Sequence, residues 1–240
     1  MPKNHFQFKQ FAVVQTGTTL KICTDSCLFG AWVASFSTEI KTALDIGTGT
    51  GLLALMLAQK HFHSSILALE IDESSAQLAD HNFANSPWKD HLKVGYTSLQ
   101  TFSNQINNNS FDLIVCNPPF FENQLNSSNT TKNLAKHSAQ LTRQELAKSI
   151  SKLLSDNGSA FVLLPEFEAD AFRTIANTFG LFLTEQKTVR NKTNGAVFRQ
   201  MMKFEKQKKD FLQSEIVIYE SEKVYTQDFV ELLKPYYLYL

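Results

Sequence analysis

Short apolar runs alternate with stretches of helical periodicity from residue 43 onward. Residues 43–46, 66–70, 92–96, 111–116 and 160–164 read as strands, and this alternation with helices implies parallel strands joined by crossovers. Leu52–Lys60 and residues 74–85 repeat apolar positions at helical spacing. Thr142-Arg143-Gln144-Glu145 is a capping-box signature ahead of Leu146, Ile150, Leu153 and Leu154, and Asp156-Asn157-Gly158 reads as the stop of that helix. Further on, two β-rich stretches, 182–189 and 197–204, face each other across residues 191–195, where Asn194-Gly195 signals a turn. The pattern predicts an α/β fold: a seven-stranded, mostly parallel sheet with a C-terminal antiparallel hairpin at one edge and helices on both faces. Residues 103–110 read as a polar loop, and 117–133 as a longer one of the kind that is usually functional.

Composition narrows the class. The chain has 240 residues, 43% hydrophobic and 19% charged, which excludes a disordered or fibrous protein. Lysine plus arginine balance aspartate plus glutamate at 23 each, so any attraction for nucleic acid must be local. The longest apolar run, residues 52–58, is far too short to span a bilayer, and residues 1–10 do not resemble a signal peptide. A cytoplasmic protein without membrane contact is the expectation. Cys23, Cys27 and Cys116 form no C-x-x-C pair, and the histidines lack ligand-like spacing, so no metal is expected.

Three motifs carry chemistry. Asp45-Ile46-Gly47-Thr48-Gly49-Thr50-Gly51 follows a strand and opens a helix. Its glycines let the backbone turn tightly beside a ligand, and the helix start offers unpaired N–H donors. The G-x-G-x-G spacing with a preceding acid favours S-adenosylmethionine over a nicotinamide dinucleotide, because a carboxylate suits the ammonium of the methionine end. Glu70-Ile71-Asp72 ends the next strand, where a carboxylate typically binds ribose hydroxyls. Asn117-Pro118-Pro119-Phe120 follows the strand 111–116. Its prolines remove two N–H donors and stiffen the turn, leaving the carbonyls of Asn117 and Pro118 as paired acceptors for a planar amino group. Phe120 can stack on a base.

In this order and spacing, the motifs resemble class I S-adenosylmethionine-dependent methyltransferases that act on amino nitrogens, a Rossmann-like fold. The segment from Lys21 to Trp32, with Thr24, Asp25, Leu28 and Gly30, resembles more narrowly the valine tRNA adenine-N6 methyltransferases. So do Asn117 to Phe121, Ala135-Lys136-His137 and the closing segment from Tyr225 to Leu240. The resemblance implies methylation of the adenine immediately 3′ of the anticodon. It implies cofactor contacts from Thr24, Asp25, Asp45, Gly47, Gly49, Gly51, Glu70, Ile71, Asp72 and Thr97. Asn117 and Pro118 would accept the target amine, with Phe120, Phe121 and His137 on the substrate side. Where the class usually carries an acid for the cofactor's adenine, this chain has Tyr96-Thr97-Ser98, and a hydroxyl accepts less strongly than a carboxylate.

Between residues 186 and 209 eight basic residues face one acid: Lys187, Arg190, Lys192, Arg199, Lys203, Lys206, Lys208 and Lys209 against Glu205. This reads as a basic stripe for a tRNA backbone. Arg199, within a β-patterned segment, is its best RNA-contacting candidate. The chain then divides into an N-terminal cap (1–40), a cofactor-binding core (41–165) and a C-terminal sheet edge with an RNA-facing hairpin (166–240), all within one domain. Methylation of guanine N2 in rRNA, methylation of a release-factor glutamine and a non-catalytic RNA-binding role are the alternatives.

Overall fold

A computed structural model of the chain describes residues 4–16, 22–36, 39–106, 108–118 and 141–240. The expectations for Phe120, Phe121 and His137, and most of the 117–133 loop, fall outside these residues. A small antiparallel pair, β1 (His5–Gln7) and β2 (Ala12–Val14), precedes helix α1 (Thr24–Ala34). The core then runs β3 (Thr42–Ile46), α2 (Leu52–Lys60), β4 (Ser65–Glu70), α3 (Glu73–Ala84), β5 (Leu92–Tyr96), α4 (Leu99–Gln105) and β6 (Phe111–Cys116). It continues with α5 (Arg143–Leu153), β7 (Leu154–Leu164), α6 (Glu166–Thr178), β8 (Phe182–Lys192), β9 (Val197–Glu205), β10 (Leu212–Ser221), β11 (Val224–Tyr225) and α7 (Gln227–Leu233).

The main sheet has the order β11-β10-β8-β9-β7-β6-β3-β4-β5. From β5 to β7 all neighbours are parallel, while β9 lies antiparallel between β7 and β8. The chain builds β3, β4 and β5 in one direction and then returns to place β6 on the other side of β3. The strand order therefore reverses between β3 and β6, and a crevice opens beyond the carboxyl ends of those two strands.

The central strands are buried on both faces, which is why they read as continuous apolar runs. On one face Ala43, Leu113, Val115, Phe161 and Leu163 pack with α1, α2, α3 and α7. On the other, Leu44, Ile114, Val162 and Leu164 pack with α4, α5 and α6.

Several expectations change. The sheet has nine strands rather than seven, because β10 pairs in parallel with β8 and carries β11 at its outer side. The first residues of the supposed polar loop, 103–105, belong instead to helix α4, which Ser98 caps through Thr101 N–H at 3.1 Å. The capping box forms as expected, Thr142 and Glu145 bonding reciprocally. Asp156-Asn157-Gly158, however, does not stop α5. The helix ends at Leu153, β7 begins at once, and these residues form an irregularity where pairing with β6 jumps from Phe111–Leu154 to Leu113–Ser159.

Candidate functional site

Beyond Ile46 the backbone turns through Gly47, Gly49 and Gly51, with φ of 69°, 56° and 83°. These are left-handed conformations that cost a side-chain-bearing residue energy. Gly47 and Thr48 donate to Leu69 O at 2.9 and 3.0 Å, fastening the loop to β4. Asp45 is fully buried beneath it. Its Oδ2 accepts from Thr48 Oγ1 at 2.6 Å and Ala54 N at 3.2 Å, supplying α2 with the cap that Gly51 cannot provide. Its Oδ1 has no hydrogen-bond partner among the described residues. Burial pushes the Asp45 carboxyl up to about 7, opposed by the Thr48 and Ala54 bonds and reinforced by the nearby Glu70 charge.

At the end of β4, Glu70 is almost fully buried and accepts three backbone donors. Gly49 N reaches Oε2 at 2.9 Å, while Ile71 N and Asp72 N reach Oε1 at 2.8 and 2.9 Å. A carboxylate accepts about four hydrogen bonds, so Glu70 holds the glycine loop and keeps acceptor capacity. Asp72 sits differently: its carboxylate caps α3, accepting from Ser75 N at 2.8 Å and Ser74 Oγ at 2.5 Å, and these bonds lower its pKa. Ile71 and Tyr96 are exposed at the ends of β4 and β5, at 49% and 60%. Thr97 follows, half-buried, with its N–H on Glu70 O at 3.0 Å.

Across the strand-order reversal, Asn117 and the buried Pro118 extend from β6. Asn117 Nδ2 donates to Ser26 Oγ of α1 at 3.0 Å. Ser26 N donates to Asp25 Oδ1 at 3.0 Å, and Asp25 Oδ2 pairs with Arg199 Nε of β9 at 2.9 Å. Thr24, partly buried, is the first residue of that helix. The start of α1 is thus brought against Asn117. Arg199 lies over the Phe198 ring and is engaged by Asp25, a pairing that its basic neighbours in the sequence do not announce.

Four more residues of the basic stripe are likewise paired with carboxylates. Arg190 pairs with Glu215, Lys203 and Lys209 with Glu205, and Lys206 with Asp156. Five of the eight basic residues therefore have acidic partners, and three of those acids, Asp25, Asp156 and Glu215, lie outside the segment counted. Sequence reasoning also missed Ser26 and Asn82. Asn82 exchanges hydrogen bonds with Val14 at 2.9 and 3.0 Å and donates to Thr50 O at 2.8 Å, clamping β2 onto the glycine loop. A lone Ser or Asn in a helix carries no spacing signal that would have found either.

The donor set fits S-adenosylmethionine. A buried carboxylate oxygen without a partner suits an ammonium group, and an ideal Cβ on Gly47 would meet nothing within 4 Å, so backbone is open to a ligand there. With the strand-order reversal and Asn117-Pro118, these features define a class I S-adenosylmethionine-dependent methyltransferase. Residues 31–148 match the methyltransferase small domain. The fold resembles a predicted O-methyltransferase from Agrobacterium tumefaciens, with a TM-score of 0.70 at 11% identity, covering 87% of this chain and 95% of that one. It also resembles a methyltransferase from Pyrococcus furiosus, with a TM-score of 0.56 at 19% identity, covering 82% and 90%. Proteins named tRNA1(Val) (adenine(37)-N6)-methyltransferase are similar throughout. The one from Cytophaga hutchinsonii is 41% identical over 100% of both chains, that from Flavobacterium psychrophilum 39% over 97% and 99%, and that from Bacteroides fragilis 37% over 99% of each. The chain belongs to the tRNA1(Val) (adenine(37)-N6)-methyltransferase family.

Proposed function

We propose that this chain methylates N6 of adenine 37 in a valine tRNA. The observation that carries the reading is Asn117-Pro118 at the end of β6, across the strand-order reversal from the glycine loop, in a chain similar over its whole length to relatives of that name. S-adenosylmethionine, when bound, supplies a methyl group activated on a sulfonium. Asp45 Oδ1 holds the ammonium of its methionine end, with Thr24 and Asp25 nearby. Gly47, Gly49 and Gly51 bring backbone against it. Glu70 would accept ribose hydroxyls, and Ile71 and Thr97 would contact the adenine. Asp72 contributes by capping α3 and so fixing the β4 end.

An aromatic amine is a weak nucleophile because its lone pair is delocalised into the ring. The Asn117 side-chain carbonyl and the Pro118 backbone carbonyl accept its two hydrogens and favour the geometry in which the lone pair points at the methyl carbon. Transfer would form the carbon–nitrogen bond at the expense of the sulfonium's carbon–sulfur bond, with the amine proton passing to water. The family resemblance implies that Phe120 stacks on the flipped base and that Phe121 and His137 are substrate-side residues. An anticodon-loop base costs little to flip.

No helix among the described residues is long and apolar enough to cross a membrane, and action on tRNA in the cytoplasm accords with that. The test is transfer of labelled methyl from S-adenosylmethionine to tRNA lacking this modification, followed by nucleoside digestion and mass analysis. N6-methyladenosine in a valine tRNA is the expected product. Methylguanosine, or label only in rRNA or protein, overturns the substrate, and binding without transfer overturns the enzyme reading.

A further inference from the structure

We infer that Ser26 is a positioning residue for methyl transfer, setting which end of the Asn117 amide faces the target amine. The inference rests on the adenine-methylation reading above. An asparagine amide is nearly symmetric in shape, and its terminal torsion is soft and roughly two-fold. Turned one way it presents an acceptor; turned the other it presents two donors. An exocyclic amine brings two hydrogens of its own, so only the acceptor orientation is productive. Some group has to select it.

Ser26 does so from the first turn of α1. Asn117 Nδ2 donates to Ser26 Oγ at 3.0 Å, which leaves Oδ1 for the amine. The Ser26 hydroxyl also meets Cys23 Sγ at 3.1 Å, and with its single proton given to that sulfur the oxygen can only accept from Asn117, which is what selects the Nδ2 end. Ser26 is 8% exposed, so water competes little for that bond. Its own position is held in turn: its N–H donates to Asp25 Oδ1 at 3.0 Å, and Asp25 is anchored by Arg199 at 2.9 Å. A continuous chain of contacts therefore runs from β9 through α1 to the amine site. Asp25 takes part in it through its carboxylate.

Ser26→Ala removes the acceptor and little volume. At saturating S-adenosylmethionine and unmodified valine tRNA, kcat is expected to fall about tenfold, the weight of one buried hydrogen bond. KM for both substrates and the equilibrium binding of S-adenosylmethionine should stay within about twofold, since neither reads the amide orientation. Ser26→Thr, which keeps the hydroxyl, is expected to recover most of the loss. In an Asn117→Ala background, Ser26→Ala should add nothing, because the amide it orients is gone. An active wild type with Ser26→Ala within twofold in kcat overturns the positioning role alone. So does an undiminished tenfold loss in the Asn117→Ala background, which assigns Ser26 a structural effect. A wild type that forms no N6-methyladenosine in tRNA overturns the functional reading and this inference with it.

Discussion

Arg199 Nε lies 2.9 Å from Asp25 Oδ2, joining the antiparallel strand β9 to the first turn of α1. Asp25 is 5% exposed, and this partner and the Ser26 N–H are hydrogen-bonding contacts of its carboxylate. Removing one member of such a pair strands the other in a poorly solvated place. Arg199→Ala should therefore destabilise the fold by about 3 kcal/mol, a fall in Tm of roughly 6–12 °C at this chain length. Asp25→Asn combined with Arg199→Ala should cost less than the two singly, because no charge is then left unpaired. Thermal unfolding of the three variants checks this. An RNA-contact role alone would instead raise KM for tRNA and leave Tm unmoved.

Asn117→Ala deletes the side-chain acceptor from the amine site. A preorganised contact of this kind is worth roughly 10²-fold in turnover. The expectation is a kcat loss of at least that size with S-adenosylmethionine binding and Tm close to wild type, because Asn117 is only partly buried. Near-normal turnover would remove Asn117 from the mechanism.

The parallel core and the motif positions were legible because local chemistry writes them. Two-face burial turns β3, β4 and β6 into apolar runs, and a glycine loop must use glycine where φ is positive. Helix α1 was not read as a helix because ten of its eleven residues are buried, leaving no polar face to mark a period. Strand β10 was missed although its Ile216-Val217-Ile218-Tyr219 run is β-branched and aromatic, since nothing local says it pairs with β8. The pairs that complete the candidate site are the least legible of all. Ser26 and Asn117 stand 91 residues apart, and Arg199 meets Asp25 only through the fold. Counting charges along the chain likewise overlooks Glu215 and Asp156, which β10 and β7 bring to the basic stripe.

Gly47 and Gly51 predict opposite failures although both have positive φ. A Cβ on Gly51 would sit 2.5 Å from Phe83 Cε1, inside the core, whereas one on Gly47 would meet nothing within 4 Å. Gly51→Ala should thus combine left-handed strain of about 1–2 kcal/mol with displacement of Phe83, and lower Tm clearly. Gly47→Ala should carry the strain alone and lower Tm less, yet weaken S-adenosylmethionine binding more than tenfold if the loop backbone meets the ligand there. Paired thermal unfolding and equilibrium binding separate the two. Equal binding losses at equal Tm would show that Gly47 does not face the ligand.

Cofactor binding is expected to depend on pH through Asp45. Its carboxyl loses a proton near pH 4 in an unfolded chain and near pH 7 when buried in the fold. Between those values the unfolded state binds fewer protons, so this residue's contribution to stability falls as pH rises from about 4 to about 7. An ammonium group held at Oδ1 favours the charged carboxylate and reverses that balance. Binding of S-adenosylmethionine below about pH 7 should therefore release a proton, and affinity should rise with pH from 5 to 8, by at most about tenfold per unit below the folded pKa. Titration calorimetry in two buffers of different ionisation enthalpy measures the released proton directly. Asp45→Asn should abolish both the release and the pH slope while leaving a weaker, pH-independent affinity, because an amide oxygen can still accept from the ammonium but carries no charge to titrate. A wild-type affinity flat from pH 5 to 8 would mean that the ammonium does not meet Asp45.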